Sequence, residues 1–288
     1  MSTLLRCENL CFTYGKGTPF EKNAVKNVSL DIKKGEVIGV IGHTGSGKST
    51  LMQMLNGLVK PTSGTVYLEG EDINADKNKL RDVRFRVGLV FQYPENQLFE
   101  ETVRKDISFG PRNMGLPEDA IKERVKRAAD FAGLKSELLD RSPFDLSGGE
   151  KRRAAIAGVI AMDPEILILD EPTAGLDPMG RDMLLSQIEA YHNARNNTVL
   201  LVSHSMEDIA NIADRVLVMN GGECAMFDTT QNVFSRGAEL ETMGLRVPQI
   251  TKITTELRRR GVPLSEGILT VEQAFEEIRA ILKKEGRI

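Results

Sequence analysis

The chain carries a glycine-rich stretch, Gly42-His43-Thr44-Gly45-Ser46-Gly47-Lys48-Ser49, directly after the apolar run Val37–Ile41. The stretch matches the spacing G-x-x-x-x-G-K-[ST], in which glycines let backbone N–H groups turn towards phosphate oxygens. The apolar residues of Leu51–Leu58 then recur at i, i+3, i+4 and i+7, which predicts a helix that reaches Leu58. A buried strand, this loop and a helix, in that order, predict a phosphate-binding loop (P-loop).

The P-loop predicts a nucleotide site with Mg²⁺. Lys48 is expected to reach the β- and γ-phosphates, and the Ser49 hydroxyl is expected to hold the metal ion. The helix N-terminus adds a favourable dipole. The residues predicted to bind the nucleotide here are Gly42, His43, Thr44, Gly45, Ser46, Gly47, Lys48, Ser49 and Thr50. The loop alone does not distinguish a kinase, a GTPase or a transporter motor.

Two adjacent acids, Asp170 and Glu171, follow the aliphatic run Ile166–Leu169. Asp170 is expected to complete the Mg²⁺ shell, and Glu171 to polarise the attacking water as a general base. Gln92 follows the strand-like run Val87–Phe91, where it is expected to touch Mg²⁺ or the same water. The sequence therefore predicts a site for nucleoside triphosphate hydrolysis.

Two further residues have a functional and a structural interpretation. His204 follows the apolar strand that begins at Thr198, and it could contact the γ-phosphate or be a structural histidine. Its place after a parallel strand, like that of Glu171, favours the site, because ligands bind at the carboxyl ends of such strands. Tyr14 is predicted either to stack on adenine or to be a core aromatic.

The segment Leu146-Ser147-Gly148-Gly149-Glu150 also allows two interpretations. Ser147 and Glu150 have the spacing of a helix capping box. Gly148 and Gly149 weaken a first helical turn, so a cap alone does not account for them. They suit backbone N–H groups that approach the γ-phosphate held by an opposite subunit. Asp177, shortly after Glu171, is predicted to cross the same subunit boundary.

Composition limits the classes of function. The 288 residues carry a net charge of −3, which gives no broad basic surface for nucleic acid. No apolar run approaches the roughly 18–20 residues that span a bilayer, and the first residues lack the layout of a signal peptide. The chain is therefore expected to serve a membrane from the cytosolic side, through a partner. Its three cysteines have no metal-site or disulfide spacing.

Hydrophobic patterning predicts an α/β fold: a P-loop core with a parallel sheet, an N-terminal antiparallel β subdomain and a helical insertion. We expect one domain over residues 1–234, with the insertion over about 93–163. A C-terminal helical extension is expected over residues 235–288. Val271, Phe275, Ile278 and Leu282 form an apolar stripe in it, to be covered by this chain or by a second subunit.

Together these motifs, over about Leu4 to Phe234, resemble the ATP-binding subunit of ATP-binding cassette (ABC) transporters. The resemblance implies a head-to-tail dimer, in which the P-loop of one subunit and the Ser147–Glu150 segment of the other bind each ATP. The family usually has Gln where this chain has Glu150. Glu150 could still accept a hydrogen bond from a ribose hydroxyl.

A finer resemblance rests on the segments Gln92–Glu100, Phe109–Asn113, Arg246–Pro248 and Ser203–Asp208. These segments are similar to those of energy-coupling factor (ECF) transporters, importers of cobalt and vitamins. Within that group, His43-Thr44 and Ser203–Asp208 resemble the second of the two paired ATPases. The resemblance implies a partner ATPase (or a homodimer), a transmembrane coupling protein and small membrane proteins that bind substrate. It places the chain at the cytoplasmic face of a bacterial-type cell membrane, with the C-terminal extension holding the ATPases together.

Other functions remain as alternatives. One is the motor of an ordinary importer that works with a solute-binding protein, and another is a soluble ABC protein of translation or DNA repair. The latter proteins usually have tandem cassettes or a long coiled coil, which this chain lacks. A non-catalytic cassette is disfavoured by the presence of Lys48, Asp170, Glu171 and His204. We also expect the segment Tyr93–Phe99 to dock the membrane partner, with Glu95 and Glu100 as surface charges.

Overall fold

The computed structural model describes residues 2–284 and contains two β-sheets. The strands are β1 (Thr3–Tyr14), β2 (Lys22–Lys33), β3 (Val37–Ile41), β4 (Ser63–Leu68), β5 (Glu71–Asp72), β6 (Val87–Val90), β7 (Ile166–Asp170), β8 (Thr198–Val202), β9 (Arg215–Asn220) and β10 (Glu223–Thr229). The helices are α1 (Lys48–Leu55), α2 (Leu80–Arg86), α3 (Val103–Asn113), α4 (Glu118–Phe131), α5 (Gly148–Ile160), α6 (Pro178–Arg195), α7 (Met206–Ile212), α8 (Thr230–Ser235), α9 (Gly237–Thr242), α10 (Gln249–Arg259) and α11 (Val271–Lys284).

The larger sheet has the strand order β10-β9-β3-β8-β7-β6. Its strands are parallel except at the β9–β10 pair. Val37 and Ile41 of β3 face one hydrophobic cluster, whereas Ile38 and Val40 face another on the opposite side. A strand covered on both faces has an uninterrupted apolar sequence, as β3, β7 and β8 do. The α/β fold with a parallel sheet that the sequence predicts is confirmed.

The smaller sheet is antiparallel, in the order β2-β1-β4-β5. Val28, Leu30 and Ile32 of β2 are all buried, as their alternation with polar residues predicts. They share a hydrophobic cluster with Met52 of α1. This sheet therefore packs against the helix that follows the P-loop.

The predicted helix after the P-loop is shorter than its apolar spacing indicates. α1 ends at Leu55, and Gly57 adopts the left-handed conformation with φ of 72°. Glycine reaches this conformation without steric cost and commonly ends helices. Leu58 thus lies beyond the helix and is 44% exposed, so the prediction that it belongs to the buried stripe is wrong.

Helices α3, α4 and α5 form the segment between the neighbouring strands β6 and β7. The apolar stripe of α4, which includes Ile121 and Val125, is buried in the cluster that also covers one face of the large sheet. Within residues 2–284 we find no helix with both the length and the apolar character needed to cross a bilayer.

The C-terminal helices α10 and α11 have a small core of their own, built around Leu264, Ile268 and Ala274. Ile278 of the predicted stripe packs against this core. Val271 and Phe275, however, are 65% and 58% exposed. Residues 2–284 therefore leave half of the predicted stripe uncovered.

Candidate nucleotide site

The carboxyl ends of four parallel strands bring the predicted hydrolysis residues to one edge of the large sheet. The P-loop follows β3, Gln92 follows β6, Glu171 follows β7 and His204 follows β8. The strands are neighbours in the order β3-β8-β7-β6, so residues far apart in sequence meet there. They line a cleft of about 310 Å³. Its lining comprises Tyr14, Lys22, Ala24, Thr44, Gly45, Ser46, Gly47, Lys48, Ser49, Thr50, Gln92, Glu171 and His204.

The P-loop wraps tightly around the Lys48 side chain. The Lys48 ammonium donates hydrogen bonds to the carbonyl oxygens of Gly42 at 2.7 Å and His43 at 3.1 Å. Gly47 has a φ of 100°, and a Cβ added there would lie 2.3 Å from the carbonyl oxygen of Ala24. Only glycine fits this position, which explains the second glycine of the motif.

Buried polar groups of the loop fit a phosphate ligand. The Ser46 hydroxyl is buried and has no hydrogen-bond partner among the residues that the structure describes. Burial lowers the pKa of Lys48, although the carboxylates of Glu171 and Asp170 act in the opposite direction. A bound phosphate would give the Ser46 hydroxyl a partner and would favour the charged form of Lys48.

Asp170 and Ser49 are suited to hold Mg²⁺. Burial raises the pKa of Asp170, and the neighbouring Ser49 hydroxyl acts to lower it. Glu171 adds to the rise, whereas Lys48 opposes it. A divalent cation beside these two oxygen-bearing side chains would favour the ionised carboxylate, and Mg²⁺ prefers oxygen ligands.

Both carboxylate oxygens of Glu171 have a partner from a neighbouring strand. His204 Nε2 lies 2.7 Å from Oε1, and Gln92 Nε2 donates to Oε2 at 3.0 Å. The backbone of Glu171 is left-handed, with φ of 52°, and its N–H donates to the carbonyl oxygen of Val202 at 3.0 Å. Such a backbone conformation costs about 1–3 kcal/mol in a residue other than glycine. The rest of the fold must therefore offset this conformational strain to keep Glu171 in place.

Tyr14 lies at the rim of the cleft with 45% of its surface exposed, so it is not a core aromatic. Its hydroxyl hydrogen-bonds the Thr50 hydroxyl at 3.1 Å, and its ring packs edge-on against Phe12. Lys22 faces it across the β1–β2 pair and also lines the cleft, although no sequence motif marks this lysine. The position of Lys22 follows from the register in which β1 pairs with β2, and a single sequence does not show that register.

The residues Ser147–Glu150 and Asp177 lie outside this cleft. Ser147, Gly149 and Asp177 line a separate cavity of about 610 Å³. The capping box is present: Ser147 Oγ accepts from the Glu150 N–H, and Glu150 Oε2 accepts from the Ser147 N–H at 2.9 Å. The bonds from Ser147 lower the pKa of Glu150. Asp177 caps α6 by accepting from the N–H of Gly180 at 2.7 Å.

Gly148 begins α5, and its surroundings differ from those of Gly47. A Cβ added at Gly148 would meet no atom within 4 Å. The fold of this chain therefore does not require glycine there, although the sequence has two in succession. The capping box accounts for Ser147 and Glu150 but leaves the glycines unexplained.

Glu95 is not a surface charge, contrary to the prediction from sequence. Its side chain is only 20% exposed and forms an ion pair with the buried Arg152 of α5, at 2.8 Å. Burial acts to raise the pKa of Glu95, but the Arg152 hydrogen bond and charge hold it below its usual range. Arg152 is 57 residues away in sequence, which explains why the pair was not predicted. Glu100 is half-buried, and its N–H donates to Asp106 at 3.1 Å.

Comparison with known proteins places this chain in a family. The family described as ABC transporter matches residues 25–174. The energy-coupling factor transporter ATP-binding protein EcfA2 of Caldanaerobacter subterraneus subsp. tengcongensis is 54% identical over 279 residues, which cover 97% of this chain and 98% of that protein. EcfA2 of Clostridium tetani is 53% identical over 283 residues, 98% of either chain.

Solved structures agree with these relatives. The structure of cbiO1 from Clostridium perfringens, part of the ABC transporter complex cbiONQ, has a TM-score of 0.74 and 37% identity, and the match covers 88% of this chain and all of that one. The dimeric structure of MJ0796, a bacterial ABC transporter cassette, has a TM-score of 0.71 and 28% identity over 79% of this chain and 99% of that one. The resemblance inferred from the motifs is confirmed. The chain belongs to the ABC transporter family and, within it, to the ATP-binding proteins of energy-coupling factor transporters of the EcfA2 type.

Proposed function

We propose that this chain binds and hydrolyses ATP to power the uptake of vitamins or metal ions through an ECF transporter. The observation that carries the proposal is the Glu171 carboxylate, which Gln92 and His204 hold at the same sheet edge as the P-loop. A non-catalytic cassette would have no need to maintain a carboxylate there on a strained backbone.

In the proposed reaction, Glu171 polarises a water molecule for in-line attack on the γ-phosphate. His204 and Gln92 orient the carboxylate and the water, and Lys48 stabilises the charge that develops on the phosphate oxygens. Ser49, Asp170 and Gln92 would hold Mg²⁺, which neutralises phosphate charge when bound. Tyr14 at the cleft rim stacks on adenine.

A second ATPase completes each site in this proposal. Ser147, Gly148, Gly149, Glu150 and Asp177 lie outside the cleft of their own chain, which suits contact with the ATP of an opposite subunit. The dimeric MJ0796 cassette, also determined with ADP and Pi, supports a paired arrangement. The partner is a related ATPase or a second copy of this chain. The C-terminal extension, residues 235–288, joins the two through the exposed side of α11.

A transmembrane coupling protein docks on the helical segment between β6 and β7. A groove of about 300 Å³ runs between α3 and α5, lined by Leu98, Phe99, Phe109 and Val159, among others. Phe99 and Phe109 are 60% and 45% exposed. Their rings pack edge-on, with a distance of 5.0 Å between the ring centroids. The cbiO1 relative is part of the ABC transporter complex cbiONQ, which favours a cytosolic helix of the membrane partner as the occupant.

The experiment that tests the proposal is affinity purification of this chain from its own membranes in mild detergent. We expect a second, similar ATPase, one coupling protein and several small hydrophobic proteins that select the substrate. Such a result would also place the chain as a peripheral subunit on the cytoplasmic face. A permease with a solute-binding protein would indicate an ordinary importer, and ribosomes or the absence of membrane proteins would overturn the transport assignment.

A further inference from the structure

One buried arginine, Arg152 of α5, contacts two segments outside its own helix. Its Nε and Nη2 donate to the two carboxylate oxygens of Glu95 at 3.1 and 2.8 Å. Its Nη1 donates to the carbonyl oxygen of Pro172 at 3.2 Å and to that of Ala174. Arg152 is 5% exposed, so these contacts are shielded from water.

Each contact leads to a part of the nucleotide site. Glu95 lies three residues after Gln92, whose amide donates to Glu171. Pro172 and Ala174 lie one and three residues after Glu171, the residue with the left-handed backbone. Arg152 itself lies two residues after Glu150, on the helix that begins at Gly148. The guanidinium thus joins the start of α5 to the segment that follows Gln92 and to the segment that follows Glu171.

The chemistry of the contact requires arginine. A guanidinium has a planar set of donors that can bind a carboxylate with two bonds and still serve neighbouring carbonyl oxygens. A lysine ammonium could neutralise Glu95 but would not maintain this pattern of bonds. The rigid fork fixes the distance and the orientation between α5 and the segment after Glu171.

We propose that Arg152 is a positioning residue that makes hydrolysis depend on the position of α5. A displacement of α5, whether caused by a second subunit at Ser147–Glu150 or by a partner in the Phe99–Phe109 groove, moves the guanidinium. The Glu95 carboxylate and the carbonyl oxygens of Pro172 and Ala174 transmit this movement to Gln92 and Glu171. This inference rests on the proposed function, since it concerns when the same site hydrolyses ATP.

The test compares Arg152→Lys and Glu95→Gln in the assembled transporter with a matched control. Arg86→Lys is that control, because Arg86 also forms a two-bond pair with a glutamate, Glu165, although its side chain is 36% exposed. Glu165 precedes β7, at the end of the strand opposite to Asp170. The measurements are kcat and KM of the ATPase, ATP affinity of the isolated subunit and the thermal unfolding midpoint.

We expect Arg152→Lys to lower kcat about 10-fold or more, because small misplacements of catalytic groups have effects of this size. KM and ATP affinity should stay within about twofold, since the P-loop contacts are intact. Glu95→Gln should lower kcat less, and Arg86→Lys should lower the unfolding midpoint without lowering kcat.

Unchanged kcat in both Arg152→Lys and Glu95→Gln would overturn the inference, as would an equal loss of kcat in Arg86→Lys. If Arg152→Lys does not fold, Glu95→Gln decides the matter by the same criteria. A wild-type transporter without any ATPase activity would instead contradict the proposed function, so the two failures are distinguishable.

Discussion

His204 Nε2 and Glu171 Oε1 lie 2.7 Å apart at the ends of two neighbouring parallel strands. Gln92 holds the other carboxylate oxygen, so Glu171 is oriented from both sides. We predict that Glu171→Gln lowers ATP turnover at least about 100-fold, because the general base is lost. ATP binding should persist, since the Lys48 and Ser46 side of the cleft is unchanged. Phosphate release and equilibrium ATP binding measure the two effects, and hydrolysis at the wild-type rate would exclude Glu171 as the base.

Gly148 separates the two interpretations of the Ser147–Glu150 segment. Gly148→Ala should leave the free energy of unfolding unchanged or raise it by up to about 1 kcal/mol, because alanine favours a helix and meets no neighbouring atom. ATPase activity of the assembled pair should fall about 100-fold, the effect of losing one donor to a charged oxygen, because the added Cβ would hold the backbone N–H groups away from the phosphate of the opposite subunit. Urea unfolding and steady-state ATPase assays measure these quantities. Full activity would mean that the segment serves only as a helix cap.

Glu150 is predicted to be replaceable by the glutamine that the family usually has. Glu150→Gln should change the ATPase rate only a few-fold, because we propose that the backbone of Gly148 and Gly149, and not the Glu150 side chain, contacts the phosphate. Loss of charge in the capping box should lower the free energy of unfolding by about 1 kcal/mol or less at neutral pH. A hundredfold change in rate would show that the side chain has a larger role.

The capping carboxylate also predicts a pH dependence. The folded state holds the pKa of Glu150 below its ordinary value, so the stabilisation is present at neutral pH. It is lost as the pH falls through that lowered pKa and the carboxylate becomes protonated. The stability difference between wild type and Glu150→Gln, measured by urea unfolding, should therefore shrink below about pH 4. A constant difference would assign the effect to another cause.

Phe109 tests the groove between α3 and α5. Phe109→Ala should weaken binding of the coupling protein by about 2 kcal/mol, as loss of a central aromatic contact does. Uptake should fall, whereas ATP affinity of the isolated subunit should not change, because Phe109 does not line the nucleotide cleft. Co-purification of the coupling protein and uptake into vesicles are the measurements. Normal uptake would count against docking in the groove.

Phe275 tests the role of the C-terminal extension. Its side chain is already 58% exposed, so Phe275→Glu should change the unfolding midpoint of the isolated chain little. Pairing of the two ATPases should weaken if α11 lies between them, and analytical ultracentrifugation measures this. Glu276→Gln, on the same helix and also exposed, is the control. Equal pairing of Phe275→Glu and wild type would contradict a dimerisation role.

The sequence predicts the local features of this structure better than its long-range contacts. The P-loop, its preceding strand and the acids after β7 follow local patterns, and the structure brings them into one cleft. Leu58 was misassigned because the spacing rule does not register the helix stop at Gly57. The Glu95–Arg152 pair and the cleft position of Lys22 depend on contacts between distant segments, for which a single sequence carries no signal.

The left-handed backbone of Glu171 also bears on how this protein can evolve. Glycine, asparagine and aspartate tolerate that conformation better than glutamate does. Random substitution followed by selection for stability alone would therefore favour other residues at this position. We expect evolution to retain this glutamate only while ATPase activity is under selection. Without that selection, substitutions at position 171 that stabilise the fold but abolish activity are expected to accumulate.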